Sequence, residues 1–300
     1  MARLSLTPPG RLTAVFARIA HWAVARLILF ILVLIAVLIL SKVVTNPLIP
    51  PTVSPYHRGA QMAANLFSAG VLLVTYAWTV RLVERRRAAE LAVGPGIAPF
   101  LIGSLIGVAL MGAVCLTLDR LGLVVFGPGT GSEGLAGGLA ACFAAAVLEE
   151  LVARAVIFRI VEEAAGTTVG IAVSAILFGL AHAFNPGASI VSTAAIAIEA
   201  GGLLAVAYAL TRNIWLVVGL HMAWNFTEGN IFGAQVSGGT ASHSLLRTTL
   251  HGPEILTGGA FGPEASIVSV TICLAAAVAI GALVVRQRGW QPRRLRLYLT

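Results

Sequence analysis

The chain has 300 residues, of which 58% are hydrophobic and only 11% are charged. Soluble globular domains have about 25% charged residues, so this composition excludes an ordinary water-soluble protein. The net charge of +8 would also suit a nucleic-acid-binding protein, but the basic carboxyl-terminal tail directly follows an apolar stretch, where attraction to anionic lipid headgroups accounts for it. We therefore expect a membrane protein that contacts the lipid bilayer and binds no nucleic acid.

Eight apolar stretches are long enough to cross a bilayer at about 20 residues each. The first follows a basic segment and has no small-residue cleavage site after it, so we expect an uncleaved signal anchor. The composition predicts an all-α, polytopic protein with about eight transmembrane helices in one bundle. The predicted spans are approximately residues 22–44, 59–80, 98–118, 135–160, 168–184, 189–210, 214–230 and 265–285.

The distribution of Lys and Arg predicts the orientation, because cytoplasmic loops of membrane proteins are enriched in these residues. With the amino terminus in the cytoplasm, 15 of the 20 Lys and Arg residues fall on the inner side and 4 on the outer side, while Arg154 lies within a helix. Both termini are therefore predicted to be cytoplasmic. We expect a multi-pass protein of the cell membrane.

Polar residues within the apolar stretches divide the chain into three segments. Residues 1–134 contain three helices with almost no polar residue at depth and are predicted to be a scaffold. Residues 135–230 hold four helices with nearly all of the buried polarity and are predicted to be catalytic. Residues 231–300 are predicted to form an outer loop, the last transmembrane helix and a basic cytoplasmic tail. The ionisable residues of that loop, expected to be solvated, are His243, His251, Glu254 and Glu264.

The fourth, fifth and seventh helices carry ionisable or amide side chains at membrane depth. Burying an ionisable group there costs roughly 2.5 to 3.5 kcal/mol on insertion scales, so such residues indicate function. Glu150 and Arg154 are four residues apart and share one helix face, which predicts an ion pair, whereas Glu149 is rotated by about 100° and can point into a cavity. The residues concerned are Glu149, Glu150, Arg154, His182, His221 and Asn225.

The depths of these side chains predict that they converge. At 1.5 Å per residue, Glu149, His182 and His221 lie about 16, 21 and 10 to 12 Å from the inner span ends. A carboxylate and an imidazole can position and deprotonate water, and a second imidazole with the Asn225 amide can donate hydrogen bonds to an oxyanion. Glu149, His182 and His221 could equally hold Zn²⁺ with an open water position. The cofactor is thus none or zinc.

Three short motifs on separate helices resemble one protein family. The sequences EELVAR at 149–154, FGLAH at 178–182 and HMAWN at 221–225 match Glu-Glu-x-x-x-Arg, Phe-x-x-x-His and His-x-x-x-Asn. Their order and placement resemble those of the CPBP family of intramembrane proteases, which includes type II CAAX prenyl endopeptidases and bacteriocin-processing enzymes. The resemblance covers residues 135–230, about a third of the chain.

The resemblance implies an intramembrane endopeptidase in which Glu149 and His182 activate water. It implies that His221 and Asn225 stabilise the tetrahedral intermediate. The supporting residues are Glu150, Arg154 and Phe178. The family is often described as metalloproteases, yet a glutamate-dependent mechanism without zinc is also argued for it. We favour the metal-free mechanism, because Asn is a good oxyanion donor and a poor zinc ligand.

Glu199 has no place in these motifs. It lies in the middle of the sixth span, so it should face the bundle interior, where it would line a cavity, contact substrate or form an interhelical hydrogen bond. The leading interpretation is cleavage, near the cytoplasmic leaflet, of a membrane-associated peptide or protein that can carry a lipid. Two alternatives stay open: an ion- or proton-coupled transporter, and a non-catalytic immunity or scaffold protein of the membrane. The oligomeric state cannot be read from the sequence.

Overall fold

The computed structural model describes residues 22–49, 55–287 and 289. It is 76% helical, so the predicted all-α class is confirmed. Two small sheets in the loops are an addition that the apolar pattern does not indicate. The predicted signal-anchor flank at 1–21 and most of the basic tail lie outside the described residues, and so does part of the charge asymmetry that predicts the orientation.

Eight helical segments occupy the positions of the eight predicted spans. They are α1 (Ala23–Thr45), α2 (Pro55–Thr79), α3 (Ile97–Arg120), α4 (starting with Leu135–Glu150), α5 (Thr167–His182), α6 (starting with Ile190–Ile196), α7 (Ile214–Phe226) and α8 (Ile267–Gln287). Among the described residues, five helices are long and apolar enough to cross a membrane, and Thr167–His182 is apolar but shorter. The number of membrane crossings therefore stays a prediction.

Four of the helices contain π-helical segments. In α2 the segment is Val80–Glu84; in α4 it is Leu151–Phe158, followed by Arg159–Ala165; in α6 it is Ala197–Gly202, followed by Leu203–Thr211; and in α7 it is Thr227–Ile231. Such segments interrupt the regular hydrogen-bond ladder and are frequent at functional sites. Three of them lie in the helices that carry the buried acids of the central segment.

Helices α3 and α7 pack closely because glycines line their contact. A Cβ atom added to Gly107 would lie 2.3 Å from the carbonyl oxygen of Leu220, and one added to Gly219 would lie 2.2 Å from that of Phe100. Small residues let helix backbones approach in this way within membranes. The contact fixes the helix that carries His221.

Charged residues predicted to be cytoplasmic meet at one end of the bundle. Arg159 pairs with Glu84 and with Glu163, both at 2.9 Å, and Arg26 pairs with Glu163 at 2.8 Å. These contacts join α1, α2 and α4. They show that the predicted inner residues share one end of the molecule, whereas the side of the membrane that this end faces stays a prediction.

The connection between α2 and α3 is held at the same end by Glu90, which is 5% exposed. Burial by itself raises the pKa of this carboxyl, but hydrogen bonds from Arg86 and Tyr76 outweigh burial and hold the pKa below its usual range. Glu90 is therefore ionised near neutral pH and anchors the connection to α2.

The loops at the opposite end are folded. Strand β1 (Val124–Pro128) pairs antiparallel with β4 (Leu246–Leu250), and β2 (Gln235–Val236) pairs with β3 (Gly239–Thr240). The expectation that the ionisable residues here are solvated is wrong for Glu264, which is 3% exposed, because the chain folds back over it. His251 and Glu254 are exposed as expected.

The glycine contact between α3 and α7 predicts a position-specific loss of stability. Gly107→Ala should lower the free energy of unfolding by about 1 to 3 kcal/mol, because the added methyl meets backbone rather than a movable side chain. Gly112→Ala on the same helix is the matched control, since a Cβ there meets nothing within 4 Å. Thermal unfolding in detergent compares the two variants. Equal stability would contradict the close α3–α7 approach.

Candidate active site

Glu149 lies between two imidazole rings. Its Oε2 atom is 3.7 Å from Nε2 of His182 and 3.7 Å from Nε2 of His221. These distances exceed the hydrogen-bond range, and the same Oε2 atom is buried without a hydrogen-bond partner among the described residues. Polar atoms farther apart than a direct hydrogen bond can share a bridging water molecule. The structure therefore brings the predicted acid and both predicted imidazoles to one point.

The backbone sets the tautomer of His182. Its Nδ1 atom lies 2.8 Å from the carbonyl oxygen of Phe178, one helical turn earlier. A carbonyl only accepts hydrogen bonds, so Nδ1 carries a proton, and the neutral form of the ring then presents the lone pair of Nε2 toward Glu149. A water molecule between these two groups can donate one hydrogen bond to each of them, which leaves the lone pairs of the water oxygen free.

Glu150 forms the ion pair that its spacing predicts. Its Oε2 atom accepts a hydrogen bond from Nε of Arg154 at 2.9 Å, and its Oε1 atom lies 2.9 Å from Nδ1 of His221. Both Glu150 and Arg154 are fully buried. Because each oxygen of Glu150 already has a partner, this acid orients His221, whereas the neighbouring Glu149 faces both rings without a direct hydrogen bond to either.

Arg154 connects three helices. Beyond Glu150 on α4, its guanidinium donates to Oγ of Ser174 on α5 at 2.8 Å and to the carbonyl oxygen of Ala200 on α6 at 3.3 Å. It also lies over the ring of Phe178, 4.9 Å from the centroid. A buried charge is tolerated when its hydrogen bonds are satisfied in this way. The contacts fix the helices that hold the two histidines and Glu149.

Phe178 packs against both histidines. Its ring centroid is 4.7 Å from that of His182 and 6.1 Å from that of His221, the latter in an edge-to-face arrangement. Such contacts between rings are favourable and directional. Phe178 thus holds both imidazole rings beside Glu149.

Two cavities adjoin at Asn225, which lines both. The smaller has a volume of about 20 Å³, enough for one water molecule, and is also lined by His182, His221, Glu199 and Glu264. The larger has a volume of about 500 Å³ and reaches the loops 239–243. The large cavity therefore connects the candidate site with the end of the bundle predicted to be outside.

One wall of the large cavity is the small-residue face of α4. Gly137, Gly138, Ala141 and Ala145 line it, and the next residue on this face, four positions after Ala145, is Glu149. The opposite wall includes residues of α2, which the sequence indicates only as scaffold. They are Arg58, Gln61 and Asn65.

Sequence reasoning missed two buried acids beside the site. Glu228 is fully buried and Glu264 is 3% exposed. Glu228 lies near the end of the seventh predicted span, where its charge could have drawn attention; nothing in the local sequence of Glu264 indicates burial. Glu199 faces the interior as expected and is 2% exposed.

A zinc site needs at least three donor side chains arranged around one point. Among the described residues, no group of three or more His, Cys, Asp or Glu side chains is arranged to hold a metal ion. This applies both to Glu149, His182 and His221 and to the histidines and acids of the outer loop. The predicted zinc alternative therefore receives no support from the arrangement of the donors, and no step of the reaction is assigned to a metal.

The fold and the acid-imidazole cluster define a helical membrane protein with a buried polar site. Residues 131–227 match the family model described as type II CAAX prenyl endopeptidase, Rce1-like. The resemblance predicted from the three motifs is thus confirmed for this third of the chain. Comparisons with curated proteins and with solved structures gave no significant match. The family match and the five apolar helices together indicate an integral membrane protein, and the match suggests a protease of the CAAX type.

The contacts of Arg154 predict that its removal destabilises the protein. In Arg154→Ala the buried Glu150 loses its counter-charge, and breaking a buried ion pair costs about 3 to 5 kcal/mol. We expect a reduced yield of folded protein and a lower melting temperature in detergent. Arg120→Ala is the matched control, because Arg120 is exposed at the end of α3. An Arg154→Ala protein as stable as this control would contradict the structural role of the pair.

Proposed function

We propose that this protein is an intramembrane endopeptidase that hydrolyses a peptide bond of a membrane-associated substrate with water activated by Glu149 and His182. The observation that carries the proposal is the position of Glu149 Oε2, 3.7 Å from two imidazole nitrogens and without a hydrogen-bond partner among the described residues. The family match at residues 131–227 supports the same reaction class.

The first step of the proposed reaction is the attack of water on the scissile carbonyl carbon. The water donates hydrogen bonds to Glu149 and to Nε2 of His182, and Glu149 takes its proton as the new carbon–oxygen bond forms. Positioning the water between two fixed groups lowers the entropic cost of the step. The product of this step is a tetrahedral intermediate with a negative oxygen.

His221 and Asn225 are proposed to stabilise that oxygen. They are four residues apart on α7, so their side chains project from one helix face. When the ring is protonated, Nε2 of His221 is a donor, and Glu150, 2.9 Å from Nδ1, balances the positive charge. The Asn225 amide supplies a second donor. Donors placed in advance at a developing charge are usually the largest single contribution to catalysis.

The collapse of the intermediate needs a proton for the leaving amine. The proton that Glu149 took from the water can pass to the amine nitrogen as the carbon–nitrogen bond breaks, which returns Glu149 to its carboxylate form. Atoms and charges then balance: one water is consumed, and one carboxylic acid and one amine are produced, which become a carboxylate and an ammonium when the acid's proton passes to the amine.

The large cavity is the proposed route of the substrate. Its volume of about 500 Å³ is in the range of ligand-binding pockets, and it adjoins the site at Asn225. The cavity opens beside the loops that carry β2 and β3. With the predicted orientation, the proposed entrance lies on the outer side, and cleavage near the cytoplasmic leaflet stays a prediction.

Replacing either water-activating group should abolish cleavage without unfolding the protein. Glu149→Gln removes the proton acceptor, and His182→Ala removes the second water ligand, so each should lower the cleavage rate at least a hundredfold. The assay uses quenched fluorescent peptides, prenylated and unprenylated, in nanodiscs, together with melting temperatures.

The matched controls for these variants are Glu254→Gln and His251→Ala, which change exposed residues of the outer loop. They should cleave at the wild-type rate. Wild-type turnover by Glu149→Gln or His182→Ala would contradict the proposed roles. For a transporter, Glu149→Gln would instead lower flux in a protein that never cleaves the peptides.

The donor geometry predicts metal-independent activity. Purified active protein should contain less than stoichiometric zinc, and incubation with a strong chelator should leave the cleavage rate unchanged. Elemental analysis and the nanodisc assay measure the two quantities on the same sample. One zinc per chain, with activity lost to the chelator and restored by zinc, would overturn the metal-free mechanism.

A further inference from the structure

Three buried carboxylates beside the site have no part in the proposed reaction. Glu199 on α6 is 2% exposed, Glu228 in the π-helical segment of α7 is fully buried, and Glu264 before α8 is 3% exposed. No described Lys or Arg forms an ion pair with any of them. Buried carboxylates normally have a cationic partner or a full set of hydrogen bonds. This cluster therefore contrasts with Glu150, which has both.

The hydrogen bonds of the cluster leave two oxygens without partners. Oε1 of Glu264 accepts from the backbone nitrogen of Ser237 at 2.6 Å and from its Oγ at 2.7 Å, and Oε1 of Glu228 accepts from the backbone nitrogen of Glu264 at 3.1 Å. Oε1 of Glu199 and Oε2 of Glu228 are buried without a partner among the described residues. An unsatisfied buried acceptor is costly, so these atoms are suited to a donor that comes from outside the chain.

Glu199 and Glu264 line the small cavity together with His182, His221 and Asn225. Glu199 thus forms part of the wall of a compartment that is also lined by the proposed water ligand His182 and by the proposed oxyanion groups His221 and Asn225. A volume of about 20 Å³ fits a water molecule and also a group of similar size, such as an ammonium head. The planar guanidinium of arginine is larger.

We propose that Glu199 and Glu264 form an acidic subsite that binds a primary ammonium group of the peptide substrate, supplied by a lysine side chain or by a free amino terminus. An ammonium carries three donors and one positive charge, which match the free oxygen of Glu199 and two acids that have no Lys or Arg partner among the described residues. Glu228 lies behind Glu264, whose backbone nitrogen donates a hydrogen bond to it. The subsite rests on the proposed function, because it selects the substrate of that reaction.

An ionised subsite that binds a ligand and a purely structural cluster of protonated acids predict different effects of Glu199→Gln. A protonated glutamic acid and a glutamine are nearly isosteric and both are neutral, so Glu199→Gln would then leave ligand preference unchanged. An ionised subsite loses its charge in the same variant. The preference for a cationic ligand over a neutral one separates the two cases.

The test measures binding rather than turnover. Fluorescence anisotropy follows labelled apolar peptides bound to detergent-solubilised Glu149→Gln protein, and the peptides differ at one position, which is lysine, arginine or norleucine. Each is made with a free and with an acetylated amino terminus, so that the two sources of ammonium are distinguished. We expect at least about tenfold tighter binding with an available primary ammonium than without it, and no such gain from arginine.

Adding Glu199→Gln, or separately Glu264→Gln, should remove most of this preference, while Glu254→Gln should retain it because that residue lies in the exposed outer loop. Melting temperatures identify any variant that fails to fold, and the second substitution then provides the test. Equal binding of lysine, norleucine and acetylated peptides would overturn the subsite. So would a preference that survives both substitutions.

The outcomes also separate the subsite from the proposed function. If wild-type protein cleaves the peptides but the Glu149→Gln protein shows no preference for an ammonium, the protease proposal stands and the subsite fails. If the preference depends on Glu199 but wild-type protein cleaves none of the peptides, the subsite stands and the protease proposal fails.

Discussion

The buried chain from Arg154 through Glu150 to His221 is the interaction on which the rest of the site depends. Its two hydrogen bonds, each 2.9 Å long, tie α4 to α7, and the further donors of Arg154 reach α5 and α6. A full positive charge in the bundle interior must be completely paired to be tolerated. The helices can therefore assemble only in the arrangement that satisfies Arg154, and this arrangement also places both imidazoles around Glu149.

This constraint explains why two adjacent acids differ in their contacts. Glu150 is fully occupied by its partners, whereas Glu149, one residue earlier and rotated by about 100°, faces two rings that it does not touch. The proposed chemistry uses that gap, because a water held there by two acceptors is positioned for attack. Close glycine packing of α3 against α7 and the ring of Phe178 support the two rings on either side of this gap.

Features that depend on neighbours along one helix could be predicted from the sequence. Features that depend on packing between distant segments could not. Apolar runs located the eight helices, and the four-residue spacing of Glu150 and Arg154 predicted their pair, since both depend on neighbours along one helix. The burial of Glu264 comes from a loop that folds back over the bundle, and the cavity wall on α2 comes from packing between distant segments. Neither has a local signal. Glu228 did have a local signal, because it is an acid inside an apolar span.

A structure of the protein in a lipid nanodisc, with a non-hydrolysable peptide analogue and at a resolution that shows ordered water, tests the central claim most directly. The account predicts one water or analogue oxygen within about 3.2 Å of the Glu149 carboxylate and of Nε2 of His182, with the carbonyl oxygen of the analogue toward His221 and Asn225. An analogue bound away from Glu149, or a Glu149 side chain turned away from both imidazoles, would contradict it.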